Sequence, residues 1–132
     1  MNGTKLYSTA AVSRDGGRVE VDGAEPDSLA IVQPAELGGS GGGWDPERLY
    51  AAALATCLHQ SLVIVASSGG HDTSGSSVRA EVTLGESGAE AYDLRARLVV
   101  ALPNVDTDDR RQLVDQAVGH CPLAGGWDVS LA

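Results

Sequence analysis

Phenylalanine is absent from this 132-residue chain, and aromatic residues make up only 4% of it. A core must therefore be built from Leu, Val and Ala, with Trp44, Trp127 and three tyrosines as its large pieces. Basic residues are scarce too: nine Lys and Arg stand against eighteen Asp and Glu, a formal charge of −9. A surface that tracks phosphates needs a high density of cations, so nucleic acid is set aside as a partner. No apolar stretch is read as approaching the roughly 20 residues of a membrane helix, and the N-terminus lacks the charged-then-apolar pattern of a secretory signal. The expectation is a cytoplasmic protein with no membrane association. The Asn2-Gly3-Thr4 triplet matches a glycosylation acceptor, but in a chain without a signal it is read as chance. Only two cysteines occur, Cys57 and Cys121. A stable structural disulfide is disfavoured in a reducing compartment, so these two point to redox chemistry, a metal site or inert burial.

What is present suffices for one domain spanning residues 1–132. Residues 5–12 are β-prone, Arg14-Asp15-Gly16-Gly17 reads as a turn and Arg18–Asp22 alternates polar with apolar, which together make a hairpin. Leu29–Val32 adds a third strand before Pro34. The glycine-rich run 38–43 lacks the Lys-Ser or Lys-Thr of a phosphate-binding loop and reads as a hinge or a close-packed loop. Asp45 as cap, Pro46 at the first helical position and Glu47 beside the helix dipole mark a clear helix start. The helix that follows, through Ala66, is apolar on nearly every face and should be buried on all sides, with Gly69-Gly70 ending it. Two amphipathic strands, 77–84 and 92–100, flank a turn at 85–91. Thr107-Asp108-Asp109 opens a second helix with apolar residues at Leu113, Val114, Ala117 and Val118. Cys121 lies just past its end, and 127–131 supplies a last strand. The order β-β-β-α-β-β-α-β describes an α+β domain of antiparallel strands and two principal helices. A helix buried all round needs cover on two sides and one sheet supplies one, so a homodimer is expected.

The cysteine contexts favour reactive sulfur: a helix wall holds Cys57 in place, while a helix end lets Cys121 approach. A metal site from Cys57, His59, His120 and Cys121 is possible by composition. Residues i and i+2 of a helix point to opposite sides, however, so Cys57 and His59 cannot both face one ion. Taken alone, a buried helical cysteine is more often an inert small hydrophobe than a nucleophile. His71 and the 106–109 acidic run read as solvated surface.

From end to end the chain resembles the organic hydroperoxide resistance (Ohr) family of the OsmC/Ohr superfamily. The residues that carry the likeness are Leu6-Tyr7, Arg14-Asp15-Gly16, the segment Pro34-Ala35-Glu36-Leu37-Gly38-Gly39, Asp45-Pro46-Glu47-Arg48-Leu49-Tyr50-Ala51-Ala52 leading to Cys57, and Cys121-Pro122. The resemblance implies the OsmC-like fold, with antiparallel sheets packed around a long central helix in an intertwined homodimer. It implies a thiol-dependent peroxidase that reduces organic hydroperoxides with no metal or bound cofactor. Cys57 matches the peroxidatic cysteine and Cys121 the resolving one. Arg14 matches the catalytic arginine, with Arg18 its rival, and Glu47 the acid that holds the arginine. The implied reductant is a dihydrolipoyl group on a protein. Two other readings share the fold: an OsmC-type peroxidase with a different peroxide preference, and a non-enzymatic protein binding a small ligand.

Two departures accompany the likeness. Leu123 stands where an aromatic residue is usual, and the connection from there to Trp127 is several residues short. Trp44, Leu123 and Trp127 are candidates for apolar surface around the alkyl tail of the substrate. Glu47 and Cys57, ten residues apart on one helix, are separated by roughly 15 Å along its axis. Either Arg14 spans part of that distance, the helix bends, or the Arg14–Glu47 pair serving a given Cys57 belongs to the partner chain, and the last is the expectation that agrees with a dimer.

Overall fold

The computed structural model describes residues 3–86, 88 and 91–132. Asn2 of the glycosylation triplet and residues 87, 89 and 90 of the expected turn lie outside the described residues. The architecture is α+β, in the expected element order, and the chain forms two compact units, Met1–Pro46 and Glu47–Ala132.

The first unit is a three-stranded antiparallel sheet of β1 (Ala11–Arg14), β2 (Arg18–Val21) and β3 (Ser28–Ala30), followed by one 3-10 turn at Ala35–Leu37. Arg14 ends β1 rather than entering the turn, which is made by Asp15 and Gly16 with φ of 55° and 71°. Two successive positive-φ residues suit the right-handed twist of a tight hairpin, and Asp-Gly adopts them at low cost. The glycine-rich run is close-packed at Gly39, where a Cβ would collide with the carbonyl of Gln33. Beyond it Trp44 forms a parallel bridge with Ile31, the Val32 N–H donating to the Trp44 carbonyl at 2.8 Å.

The second unit carries helix α1 (Pro46–Ser68), strands β4 (Ser77–Glu86) and β5 (Tyr92–Ala101), helix α2 (Thr107–His120) and strand β6 (Asp128–Leu131). β4 and β5 pair antiparallel in a register that sets Val78 beside Val100, Ala80 beside Leu98 and Val82 beside Ala96. Strand alternation puts these on the core face and Arg79, Glu81 and Arg97 on the other, where Arg97 lies 3.4 Å from Glu81. β6 joins β5 in parallel, not antiparallel, so this sheet is mixed. The reason is topological: α2 intervenes between β5 and β6, and a crossover of that kind lets the chain re-enter the sheet in the same direction.

Leu54, Leu58 and Leu62 of α1, Leu98 and Val100 of β5, and Val114 and Ala117 of α2 share one core. Within the one chain α1 is buried on one face only. Its buried residues are Leu54, Leu58, Ser61, Leu62 and Ala66, a stripe at i, i+4, i+7, i+8 spacing, while Val63 and Ile64 on the far side are exposed, Ile64 by 65%. The alanines at 51–53 and 55 made the helix read as apolar throughout. The absence of a membrane-length stretch also needs correcting, since α1 is long and apolar enough to cross a bilayer by length and composition alone. The polar interruption at 59–61 is too brief to offset its flanks, and it is the Leu stripe that the core receives. His71 is likewise not simply solvated: its ring Nδ1 lies 4.0 Å from Asp109, and its backbone N–H donates to the Ala66 carbonyl near the end of α1.

Candidate active site

The site is built on the buried faces of the two helices. On α1, Tyr50, Leu54, Cys57 and Ser61 follow i, i+4, i+7, i+11 spacing and so form one strip. Cys57 sits at the edge of that strip and is half-buried. On α2, Leu113 and Ala117 are buried at i and i+4, and the next residue in the series is Cys121, only 5% exposed. The buried stripe of α2 thus continues one step past the helix end, which holds the second sulfur against the core.

These two stripes bring together sulfurs 64 residues apart in sequence: the Cys121 thiol donates to Cys57 Sγ at 2.8 Å. Both cysteines are free. Burial pushes the Cys57 pKa up, and the Cys121 sulfur adds to the rise. A backbone hydrogen bond from Leu123 opposes it. That contact uses the Leu123 amide rather than its side chain, so residue type carried no signal for it.

Trp127 donates its indole N–H to the Tyr50 hydroxyl at 2.9 Å, and both rings pack against the core. His59, conspicuous in sequence two residues after Cys57, shares a 2.9 Å hydrogen bond with Ser76. His120 Nδ1–H donates to the Gln116 carbonyl at 2.9 Å. Among the described residues no three His, Cys, Asp or Glu side chains converge as a metal site.

The two candidate arginines lie in the first unit. Arg14 and Arg18 are register partners across the β1–β2 hairpin, so both project from the same face of the sheet. Like charges directly opposed are unfavourable, and each is relieved diagonally. Arg14 Nε donates to Glu20 at 2.8 Å, while Arg18 donates to Ser28 Oγ at 2.9 and 2.7 Å. A shared face explains why spacing alone left the choice between them open. Glu47 occupies the first turn of α1, one continuous helix with Cys57, so their separation of roughly 15 Å along the axis stands. Trp44 is exposed in the first unit, and Leu123 is exposed beside the cysteine pair.

A fold of this kind with a paired, uncrosslinked dithiol in its core defines a class, and the comparisons give its family. The model of the OsmC-like protein family matches residues 39–125. The chain belongs to the OsmC-like family. It is 33% identical to the organic hydroperoxide resistance protein of Xanthomonas axonopodis pv. citri over 95% of this chain and 90% of that one. It is 32% identical to an organic hydroperoxide resistance protein-like 2 of Staphylococcus epidermidis, over 96% and 94%. Among solved structures, a Vibrio cholerae protein assigned to organic hydroperoxide resistance, with captopril bound in one of its active sites, superposes with a TM-score of 0.86 at 28% identity, covering 99% of this chain and 95% of that one. These relatives support a role in hydroperoxide resistance.

Proposed function

We propose that the chain is a thiol peroxidase that reduces organic hydroperoxides through Cys57 and Cys121. The observation that carries this reading is the 2.8 Å approach of the two free sulfurs. In the first step the Cys57 thiolate attacks the hydroperoxide oxygen distal to the alkyl group. The O–O bond breaks, the alkoxide leaves and takes a proton to become alcohol, and Cys57 is oxidised by two electrons to a sulfenic acid. In the second, the Cys121 sulfur attacks Cys57 Sγ, the S–O bond breaks, and hydroxide departs with the Cys121 proton as water. A dithiol, in this reading a dihydrolipoyl group, returns two electrons and two protons.

The first step needs thiolate, which burial of Cys57 disfavours, so a cation is required. Arg14 supplies it, exchanging Glu20 for Glu47, from a second copy of the chain. Support for the second copy comes from the uncovered face of α1, where Thr56, His59, Gln60, Val63 and Ile64 line a largely apolar groove of about 490 Å³. Trp44, Leu123 and Trp127 offer apolar surface to the alkyl tail. A monomeric variant that kept full peroxidase activity would remove the second copy from this scheme.

The test is mass spectrometry of the reduced protein after one equivalent of cumene hydroperoxide, beside Cys57→Ser and Cys121→Ser. The expected results are loss of two hydrogens with a Cys57–Cys121 cross-link in the wild type, and a sulfenic acid on Cys57 when Cys121 is replaced. An unoxidised Cys57 in the wild type refutes the reading.

A further inference from the structure

The connection from Cys121 to Trp127 meets α1 at both of its ends. At one end stand the two sulfurs and the Leu123 amide against Cys57. At the other, Trp127 donates to Tyr50, two turns before Cys57 on the same strip of α1 and roughly 10 Å away along the axis. Between them the segment is stiffened by a tight turn, with the Trp127 N–H on the Ala124 carbonyl at 3.2 Å and Gly126 at φ 93°, a conformation that L side chains rarely adopt. Ala124 is fully buried beneath the turn. Seven residues held at both ends have little freedom to drift.

We propose that the Tyr50–Trp127 hydrogen bond is a strap that holds the 121–127 connection on α1 and thereby keeps Cys121 in bonding range of Cys57. Tyr50 is a positioning residue: its hydroxyl is bonded to Trp127, and it acts through Trp127 and the turn. The role as a control on the resolving step rests on the peroxidase reading; the role in presenting one sulfur to the other does not. With the strap intact, the Cys57 sulfenic acid is captured by Cys121. With it released, the sulfenic acid persists, and a second molecule of hydroperoxide oxidises it to the sulfinic acid with loss of alcohol.

Two measurements on Tyr50→Phe separate these parts. The first is the equilibrium of the Cys57–Cys121 pair in reduced and oxidised glutathione, which gives the effective concentration of one thiol at the other without peroxide. The strap predicts at least a tenfold fall. Leu62→Ala, a core change elsewhere on α1, should keep the wild-type value, which distinguishes positioning from general loosening. The second is the ratio of disulfide to Cys57 sulfinic acid under excess cumene hydroperoxide, expected to fall by a similar factor. Should Tyr50→Phe fail to fold, Trp127→Phe, which removes the N–H and keeps a ring, carries the same expectation. An unchanged effective concentration in a folded variant overturns the strap. A wild type that cross-links in glutathione but ignores hydroperoxide overturns the peroxidase reading and leaves the strap to the glutathione result.

Discussion

Cross-linking Cys57 to Cys121 should stabilise the protein by an amount set by chain length, because the sulfurs already meet. The loop to be closed has a sequence separation of 64. The chain-entropy relation, ΔS ≈ −2.1 − 1.5R ln n, then removes about 14 cal/mol/K from the unfolded ensemble, or about 4 kcal/mol at 25 °C. Against this stands native distortion. The sulfurs must close from 2.8 Å to the roughly 2.05 Å of a bond, a shift of under about 1 Å that Cys121, one residue past a helix end, can supply. Most of the stabilisation should survive. The perturbation is diamide, a thiol oxidant that does not depend on peroxidase activity, and the assay is urea unfolding of oxidised and reduced protein followed by tryptophan fluorescence at fixed concentration. With an m-value of about 1–2 kcal/mol/M, the midpoint should rise by about 2–4 M on oxidation. The double variant Cys57→Ser/Cys121→Ser should show no response. A cross-linked protein, confirmed by mass, that unfolds at the same or a lower urea concentration refutes the argument that the folded chain presents the two sulfurs to each other.

Other outcomes follow from the same geometry. Burial and the Cys121 sulfur raise the Cys57 pKa above its ordinary 9.0, so in Arg14→Ala/Arg18→Ala the midpoint of the pH–rate profile for Cys57 alkylation by iodoacetamide should lie above that pH. On the proposed scheme a guanidinium favours thiolate in the wild type and the midpoint should lie lower; coincident profiles would exclude both arginines. Leu58→Ala empties a fully buried site in the core and should cost about 2–5 kcal/mol, read by urea unfolding of the reduced protein. Gly126→Ala forces a Cβ into a positive-φ position and should destabilise by more than about 1 kcal/mol, with Gly125→Ala, whose φ is not positive, costing less.

Much of the fold was legible because its signals are local. The Asp45-Pro46-Glu47 start placed α1 to the residue, since capping chemistry and the missing proline N–H act within one turn. The alternation in 77–84 and 92–100 marked β4 and β5; β4 runs on to Glu86 because hairpin pairing extends to the turn, and β5 runs on to Ala101, which pairs with Ser77 at the other end. The core face of α1 was not legible, since alanine satisfies both a buried and an exposed position. The parallel entry of β6 was also beyond local pattern, because strand direction in a sheet depends on the path of α2 and not on the composition of 128–131.

The site divides in the same way. Sequence by itself determined that there are two thiols, that one rides an apolar helix and the other follows a helix end, and, through its likeness to relatives, that the chain belongs to the OsmC-like family. Tertiary structure alone decided that the sulfurs lie 2.8 Å apart, that a Leu123 amide serves Cys57, and that Trp127 binds Tyr50. Helix periodicity and capping are properties of neighbouring residues, whereas the meeting of two stripes 64 residues apart depends on how the whole core packs.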